Sequence, residues 1–352
     1  MTIADAELKA LLKELKGRTG DHTARTVITG AALFVAYVLV LALGVALENV
    51  ALKILVCIIL SFQIGQLVVT GHDAGHNSLS RSKALNEWFG LVLFLPSLHP
   101  YSLWIHHHNF VHHRYVAQIG KDNAFPPLTP DQYRALPAWK RARYRFYRSL
   151  IGQHFWYFFD IHLPRILLPF LDKTRKMTRR DLRDTLIMYT WIAATLGFCF
   201  WVSVTAHAGQ PFGYHAVNAF LFGLFLPVFF WTTHITFLSI FQHTAPDAKW
   251  KLPDGKPSNH DDMIAGTVHV TFPEWLDIVF LRIMQHQAHH LNVHIDLHSV
   301  KDAQKVVAEA NERKLTRPWT PRYHLNVTRQ CKLYDPDKGG WVTFEEVDGA
   351  AA

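Results

Sequence analysis

The sequence predicts an all-α integral membrane protein, with four transmembrane helices paired as two hairpins beneath a cytosolic helical cap. Three observations lead there. Apolar residues fill 49% of the 352 positions, yet Lys and Arg outnumber Asp and Glu by 36 to 28, a formal charge of +8. That combination suits a membrane protein with basic loops better than a soluble globule. Apolar runs recur at the roughly 20-residue length that a helix needs to cross the hydrocarbon core. Histidine, finally, gathers into three clusters at or beyond the ends of those runs. A nucleic-acid partner is not expected, because the basic residues flank apolar runs instead of forming a basic domain of their own.

In chain order, the first 25 residues form a charged amphipathic segment with Lys9, Lys13, Lys16, Arg18 and Arg25, and lack the apolar centre of a signal peptide. Residues 1–26 are therefore expected in the cytosol. Val27 to Leu47 and Ala51 to Thr70 are the first two spans, joined so tightly by Glu48 to Val50 that they should form a hairpin within residues 27–70. Residues 71–183 follow as a cytosolic or interfacial region. Within it, Trp88 to Trp104 is too short and Pro-broken to span. Ile151 to Leu171, interrupted by His154, Asp160, His162, Pro164, Arg165 and Pro169, reads as an interfacial or re-entrant helix.

A second hairpin occupies residues 184–241, with spans near Thr185 to Ala206 and Tyr214 to Phe241 and an uncharged link, Ala208 to Gly213. Residues 242–352 are polar and complete the cytosolic cap. Basic residues concentrate in the central region, from Lys140 to Arg148 and from Lys173 to Arg183, which places that region, the N-terminus and the C-terminal segment on one side. Cys57, Cys199 and Cys331 stand singly, so neither a disulfide framework nor a CxxC site is expected, which fits a reducing compartment.

The histidine clusters carry the chemistry. "HDAGH" places His72 and His76 four apart. "HHHNFVHH" offers His108, His112 and His113, with His106 and His107 as further candidates, and "HQAHH" holds His286, His289 and His290. Residues three and four apart share a helix face, so each cluster can aim two or three imidazoles at one point. Adjacent twins diverge by about 100° and can serve two neighbouring ions. Eight clustered imidazoles exceed the four ligands of one tetrahedral zinc, so two ions are the economical count. Imidazole alone does not select among Zn, Cu, Fe and Ni. No Glu-x-x-His pair is present, which removes the carboxylate-bridged di-iron bundle. The single histidines (His22, His99, His154, His162, His207, His215, His234, His243, His260 and His324) read as hydrogen-bonding or interfacial residues.

The order HxxxH, HxxxHH, HxxHH resembles the membrane-bound fatty acid desaturase superfamily, and more closely the bacterial and cyanobacterial Δ12 (ω-6) acyl-lipid desaturases. The stretches "GHDAGHNSLS", "KDNAFPP", "FQHTAPDAKW", "GTVHVTFPEWLD", "MQHQAHHL" and "QCKLYDPDKGGWVTF" carry it across Ser61 to Phe344. The resemblance implies one desaturase domain over residues 1–352 and a di-iron site on His72, His76, His108, His112, His113, His286, His289 and His290. His269, in "GTVHVTFP", matches the further histidine that completes the superfamily's site. One departure is "HHLNVHIDLHSV", where the family has an Ile-Pro turn. His290, His294 and His298 there read as one helical stripe, with the last two solvated or supporting. In the second box, helical spacing to His112 favours His108 over His106 and His107.

The same resemblance implies O2 as co-substrate, an acyl lipid as substrate and a cis double bond as product. No flavin, haem or four-cysteine cluster motif is present, so electrons are expected from ferredoxin or a similar donor, drawn to the basic face. Those basic residues suit anionic lipid headgroups equally well. Asp73, Asp122 and Asp277 are candidates to orient the imidazoles. Two rivals share features of this reading. A hydroxylase or ketolase would use the same metal scaffold, whereas the ω-6-like tail favours desaturation. A metal transporter would place its ligands within the spans, near the bilayer midplane.

Overall fold

The computed structural model describes residues 5–16, 22–310 and 316–349; Arg18 of the expected basic N-terminal segment and the last three residues lie outside them. Among the described residues, four helices are long and apolar enough to cross a membrane: Thr23–Ala46, Val50–Gly75, Arg179–Ala206 and Phe212–His243. Helix α1 (Asp5–Lys16) precedes them, and its Leu12 packs into the cap beside Val300, Ala303 and Val307. Helices α2 (Thr23–Ala46) and α3 (Val50–Gly75) form the first hairpin, and Asn49 caps α3 by accepting from the Leu52 N–H at 3.1 Å.

Helix α3 runs five residues past the expected end at Thr70, and so carries His72 on its last turn. Its end is buried, and two glycines admit the neighbours that bury it. A Cβ on Gly71 would meet Phe94 at 2.8 Å, and one on Gly75 would meet Trp104 at 2.5 Å. Helix α4 (Lys83–Phe94) packs along α3, then bends by 97° through Leu95–Ser97 into α5 (Tyr101–Ile105) and a π-helix, His106–His112. Pro96, left-handed Leu98 and Pro100 account for the break, which keeps this pair from running straight as a span.

Short helices α6 (Pro130–Arg134), α7 (Ala138–Tyr147) and α8 (Gln153–Trp156) follow. Helix α8 continues as a π-helix over Tyr157–Leu167, interrupted by Pro164 and packed against the fourth span. Helix α9 (Arg179–Ala206) starts from a capping box between Thr178 and Asp181. It pairs with α10 (Phe212–Phe220), which passes through a π-turn at Leu221–Phe225 into α11 (Leu226–His243).

The cap contains α12 (His260–Gly266), α13 (Glu274–Val279), α14 (His286–Leu291), α15 (Val300–Ala310), α16 (Pro321–Gln330) and α17 (Phe344–Gly349). Among the described residues it also holds two small sheets, a minor addition to a mostly helical fold. Strand β1 (His269–Thr271) pairs in parallel with β2 (Thr316–Pro318), and β3 (Leu333–Asp335) pairs antiparallel with β4 (Gly340–Val342). The main core lies among the spans, where Leu41, Leu60, Ile64, Leu67, Phe94 and Trp231 are buried. The cap is tied to the start of α2: Thr23 Oγ1 donates to the Leu79 carbonyl at 2.8 Å, and Thr26 Oγ1 lies 3.1 Å from His298 Nε2. The start of α2, the end of α3, the start of α9 and the end of α11 therefore share one end of the bundle.

Candidate metal centre

Imidazoles from four elements converge at that end, in two groups. His72 and His76 from the α3 terminus, His108 and His113 from the π-helix, and His289 from α14 form the first. His112, His243, His286 and His290 form the second, and within each group the candidate ligand atoms all lie within 4.8 Å of one another. Both adjacent pairs divide between the groups: His112 and His113 point to different groups, as do His289 and His290. That is the geometry expected of neighbours about 100° apart on a helix.

The π-helix sets the pairing in the second box. The His113 N–H donates to the His108 carbonyl at 2.9 Å, so these side chains overlie one another five residues apart, with Nε2 atoms 3.0 Å apart. Helical arithmetic pairs His108 with His112. The structure keeps His108 and changes its partner. His106 and His107 join neither group: His106 stacks on exposed Phe110, and His107 lines the neighbouring cavity.

The nitrogens meet at short range. His72 and His108 lie 3.0 Å apart, as do His113 and His289, all through Nε2. In the second group, His243 to His286 is 2.8 Å, His286 to His290 is 2.9 Å and His290 to His112 is 3.2 Å. A neutral imidazole has one donor and one acceptor nitrogen, so rings meeting several others through the same atom leave lone pairs facing one another. His76 Nε2 is moreover buried without a hydrogen-bond partner. Such spacings fit neighbouring ligands around an ion with metal–nitrogen bonds of about 2.1 Å. The donor set thus fits two metal ions. Burial first, and then neighbouring imidazoles, hold the pKa values of His76, His108, His113, His286, His289 and His290 well below the ordinary histidine value. Near neutral pH these rings are uncharged and offer lone pairs.

Asp122 orients His112. Its Oδ1 accepts from His112 Nδ1 at 2.8 Å and from the Ala124 N–H at 3.0 Å, and Oδ2 accepts from the Ala117 N–H at 2.8 Å. Burial raises this carboxyl's pKa, but His112 and the hydrogen bonds outweigh it and leave the value below the usual range. With Nδ1 donating, the Nε2 lone pair of His112 is free for a metal. Asp73 plays a different part: Oδ2 accepts from the Leu297 N–H at 2.7 Å, and Oδ1 stands 3.6 Å from His72, beyond hydrogen-bond range. Asp277 receives Gln285 Nε2 at 3.1 and 3.2 Å, not an imidazole.

His269 stands apart from both groups. It lies on β1, its Nδ1 is 3.3 Å from Thr316 Oγ1, and its buried Nε2 has no hydrogen-bond partner. The second group includes His243 instead, which reads in the sequence as an ordinary single histidine. The signal was present: His243 ends the fourth span as His72 sits at the end of the second. His294 and His298 form no helical stripe with His290, because α14 ends at Leu291; His298 meets Thr26 instead. Gln304 carries no sequence signal of its role. Its Oε1 accepts from the Ala288 N–H at 2.9 Å and steadies the histidine-bearing α14.

A cleft opens from the histidines between α3 and α11. His72, His108, His112, His243 and His286 line its polar end, and Phe62, Val68, Trp231, Ile235 and Leu238 line its apolar length. Polar groups at one end of an apolar cleft match a site for a long, mostly apolar ligand.

Residues 49–321 match the family model described as fatty acid desaturase. The chain belongs to the fatty acid desaturase family. Curated relatives sharpen the comparison. The sn-1 oleoyl-lipid 12-desaturase of Picosynechococcus sp. is 28% identical over 282 residues, covering 79% of this chain and 75% of the relative. The enzyme of the same name from Synechocystis sp. is 28% identical over 277 residues, covering 77% and 73%. The chloroplastic omega-6 fatty acid desaturase of Arabidopsis thaliana is 24% identical over 285 residues, covering 79% and 58%. This desaturase is therefore an oxidoreductase of lipid metabolism with helices suited to a membrane, and both histidine groups fall inside the matched region.

Proposed function

We propose that this desaturase inserts a cis double bond of the Δ12 or ω-6 type into a monounsaturated, oleoyl-like acyl chain of a membrane lipid. Its site would hold two irons, on His72, His76, His108, His113 and His289 and on His112, His243, His286 and His290. O2 would be the co-substrate, and a ferredoxin-like protein the electron source. The observation that carries the reading is the continuity of the apolar cleft with both histidine groups. The relatives that act on oleoyl lipids at position 12 support the choice of substrate and bond.

The two ions would supply an O2-dependent oxidation strong enough to remove hydrogen from an unactivated methylene pair, which no side-chain base achieves. The protein's own part is positional. Neutral imidazoles present lone pairs from rigid helix ends, Asp122 fixes the tautomer of His112, and the apolar walls align the chain and exclude water. The clustered basic residues between α3 and α9 support, by charge asymmetry, a reading in which the histidine end and both termini face the cytoplasm of a bacterial inner membrane.

Lipid profiling by mass spectrometry tests the reading. In a host lacking polyunsaturated lipids and supplied with a competent electron donor, oleoyl lipids should convert to linoleoyl lipids. A hydroxy or keto product without a new double bond would replace this reading by the hydroxylase alternative.

A further inference from the structure

We infer that Gly65 and Trp231, facing each other across the acyl cleft, form a stop in it, and that their pairing sets how many carbons lie beyond the reacting bond. The inference rests on the desaturase reading above and adds its measuring element. Glycine within a helix costs about 1 kcal/mol relative to alanine, so its presence in α3 calls for a reason. At Gly30, Gly44 and Gly71 packing supplies one, because a Cβ would come within 2.8 Å of a neighbour. Gly65 is different. A Cβ there would meet only the Trp231 ring, at 3.9 and 4.0 Å, which is ordinary contact. Packing would accept a side chain, and the space it would fill belongs to the cleft that both residues line.

Trp231 is built as a fixed wall. It is 3% exposed, and the His99 ring stands edge-on to it at 5.1 Å, with Tyr157 at 6.1 Å. Those two are joined to each other, His99 Nε2 lying 3.0 Å from the Tyr157 hydroxyl, and His99 Nδ1 donates to the Ser97 carbonyl at 2.8 Å. The indole is thus backed by hydrogen-bonded rings.

The depth suits the role. Gly65 lies two helical turns from His72, about 10.5 Å along α3. An extended chain of ~1.5 Å carbon–carbon bonds advances roughly 1.3 Å per carbon, so this depth takes the reacting pair and the roughly five carbons that follow it in an ω-6 product.

The test compares the wild-type chain with Gly65→Ala, Gly65→Leu and Trp231→Leu in cells supplied with C16, C18 and C20 monounsaturated acyl chains. Mass spectrometry reads the position of new double bonds and the relative conversion of each length. It also reads the acyl chains that co-purify with protein made without an electron donor, a measure independent of turnover. A surplus methylene that no longer fits should cost about tenfold or more in selectivity. Gly65→Leu should therefore shift both conversion and retention from C18 toward C16 by about that factor, with Gly65→Ala intermediate, and Trp231→Leu should shift them toward C20. Wild-type length ratios and bond positions in all three variants would overturn the inference while leaving the desaturase reading intact. A wild-type chain that forms no double bond on any length would instead overturn the reading beneath it.

Discussion

His113 and His108 face each other across one turn of π-helix, with Nε2 atoms 3.0 Å apart and the His113 N–H bonded to the His108 carbonyl. In an α-helix those positions would be staggered, and His108 would face His112 instead. The wider turn frees His112 for the second group while His108 and His113 stay in the first. A local change of helical pitch thereby splits one histidine box between the two groups.

Metal content should follow the two groups. His243→Ala and His286→Ala are each expected to remove close to one of two irons per chain, and His76→Ala or His289→Ala the other. His269→Ala should keep both. Elemental analysis of purified protein checks this, and loss of iron from His269→Ala with retention in His243→Ala would reverse the assignment. A single zinc that sustains activity would dismiss a di-iron centre altogether.

Asp122→Asn should weaken metal retention or activity by about 10–100-fold, since the carboxylate that orients His112 is lost while shape is kept. Asp277→Asn should leave metal content near wild type, because its partner is Gln285. Competition with a graded chelator measures both. Equal losses in the two variants would show that Asp122 has no special hold on the site.

Gly71→Ala should destabilise the protein by about 1–3 kcal/mol, the usual cost of overpacking, because the new Cβ would lie 2.8 Å from Phe94. The strain would also displace the turn bearing His72. Thermal unfolding in detergent should show a lower midpoint, whereas Gly197→Ala, where the structure leaves open space, should not.

Topology is testable with reporter tags. Tags at the N-terminus, near Lys140 and at the C-terminus should lie on the cytoplasmic side, and tags at Glu48 and Gln210 on the other. The contacts of α2 with Leu79 and His298, and of Tyr144 in α7 with the Lys332 carbonyl, gather the start of α2, the Lys140 region and the C-terminal segment at one end of the bundle. A tag near Lys140 found opposite the C-terminus would be incompatible with the histidine groups.

Four apolar spans, two hairpins and eight of the nine histidines that meet at one end of the bundle are legible in the linear chain. Those features depend on composition and near-neighbour spacing, which a chain displays directly. Span ends are less legible: α3 continues to Gly75 because tertiary packing buries its last turn, and no hydropathy pattern records that. The remaining member of the two groups is only hinted at in the chain, by its place at the end of the fourth span, and folding decides it. His243 and His269 are both single histidines in the sequence, and what separates them is a distance: His243 lies 2.8 Å from His286, whereas His269 is held on a strand beside Thr316. The same holds for Asp122 against Asp277, and for Gly65 opposite Trp231. Each depends on contacts between segments far apart in the chain, which local periodicity does not encode.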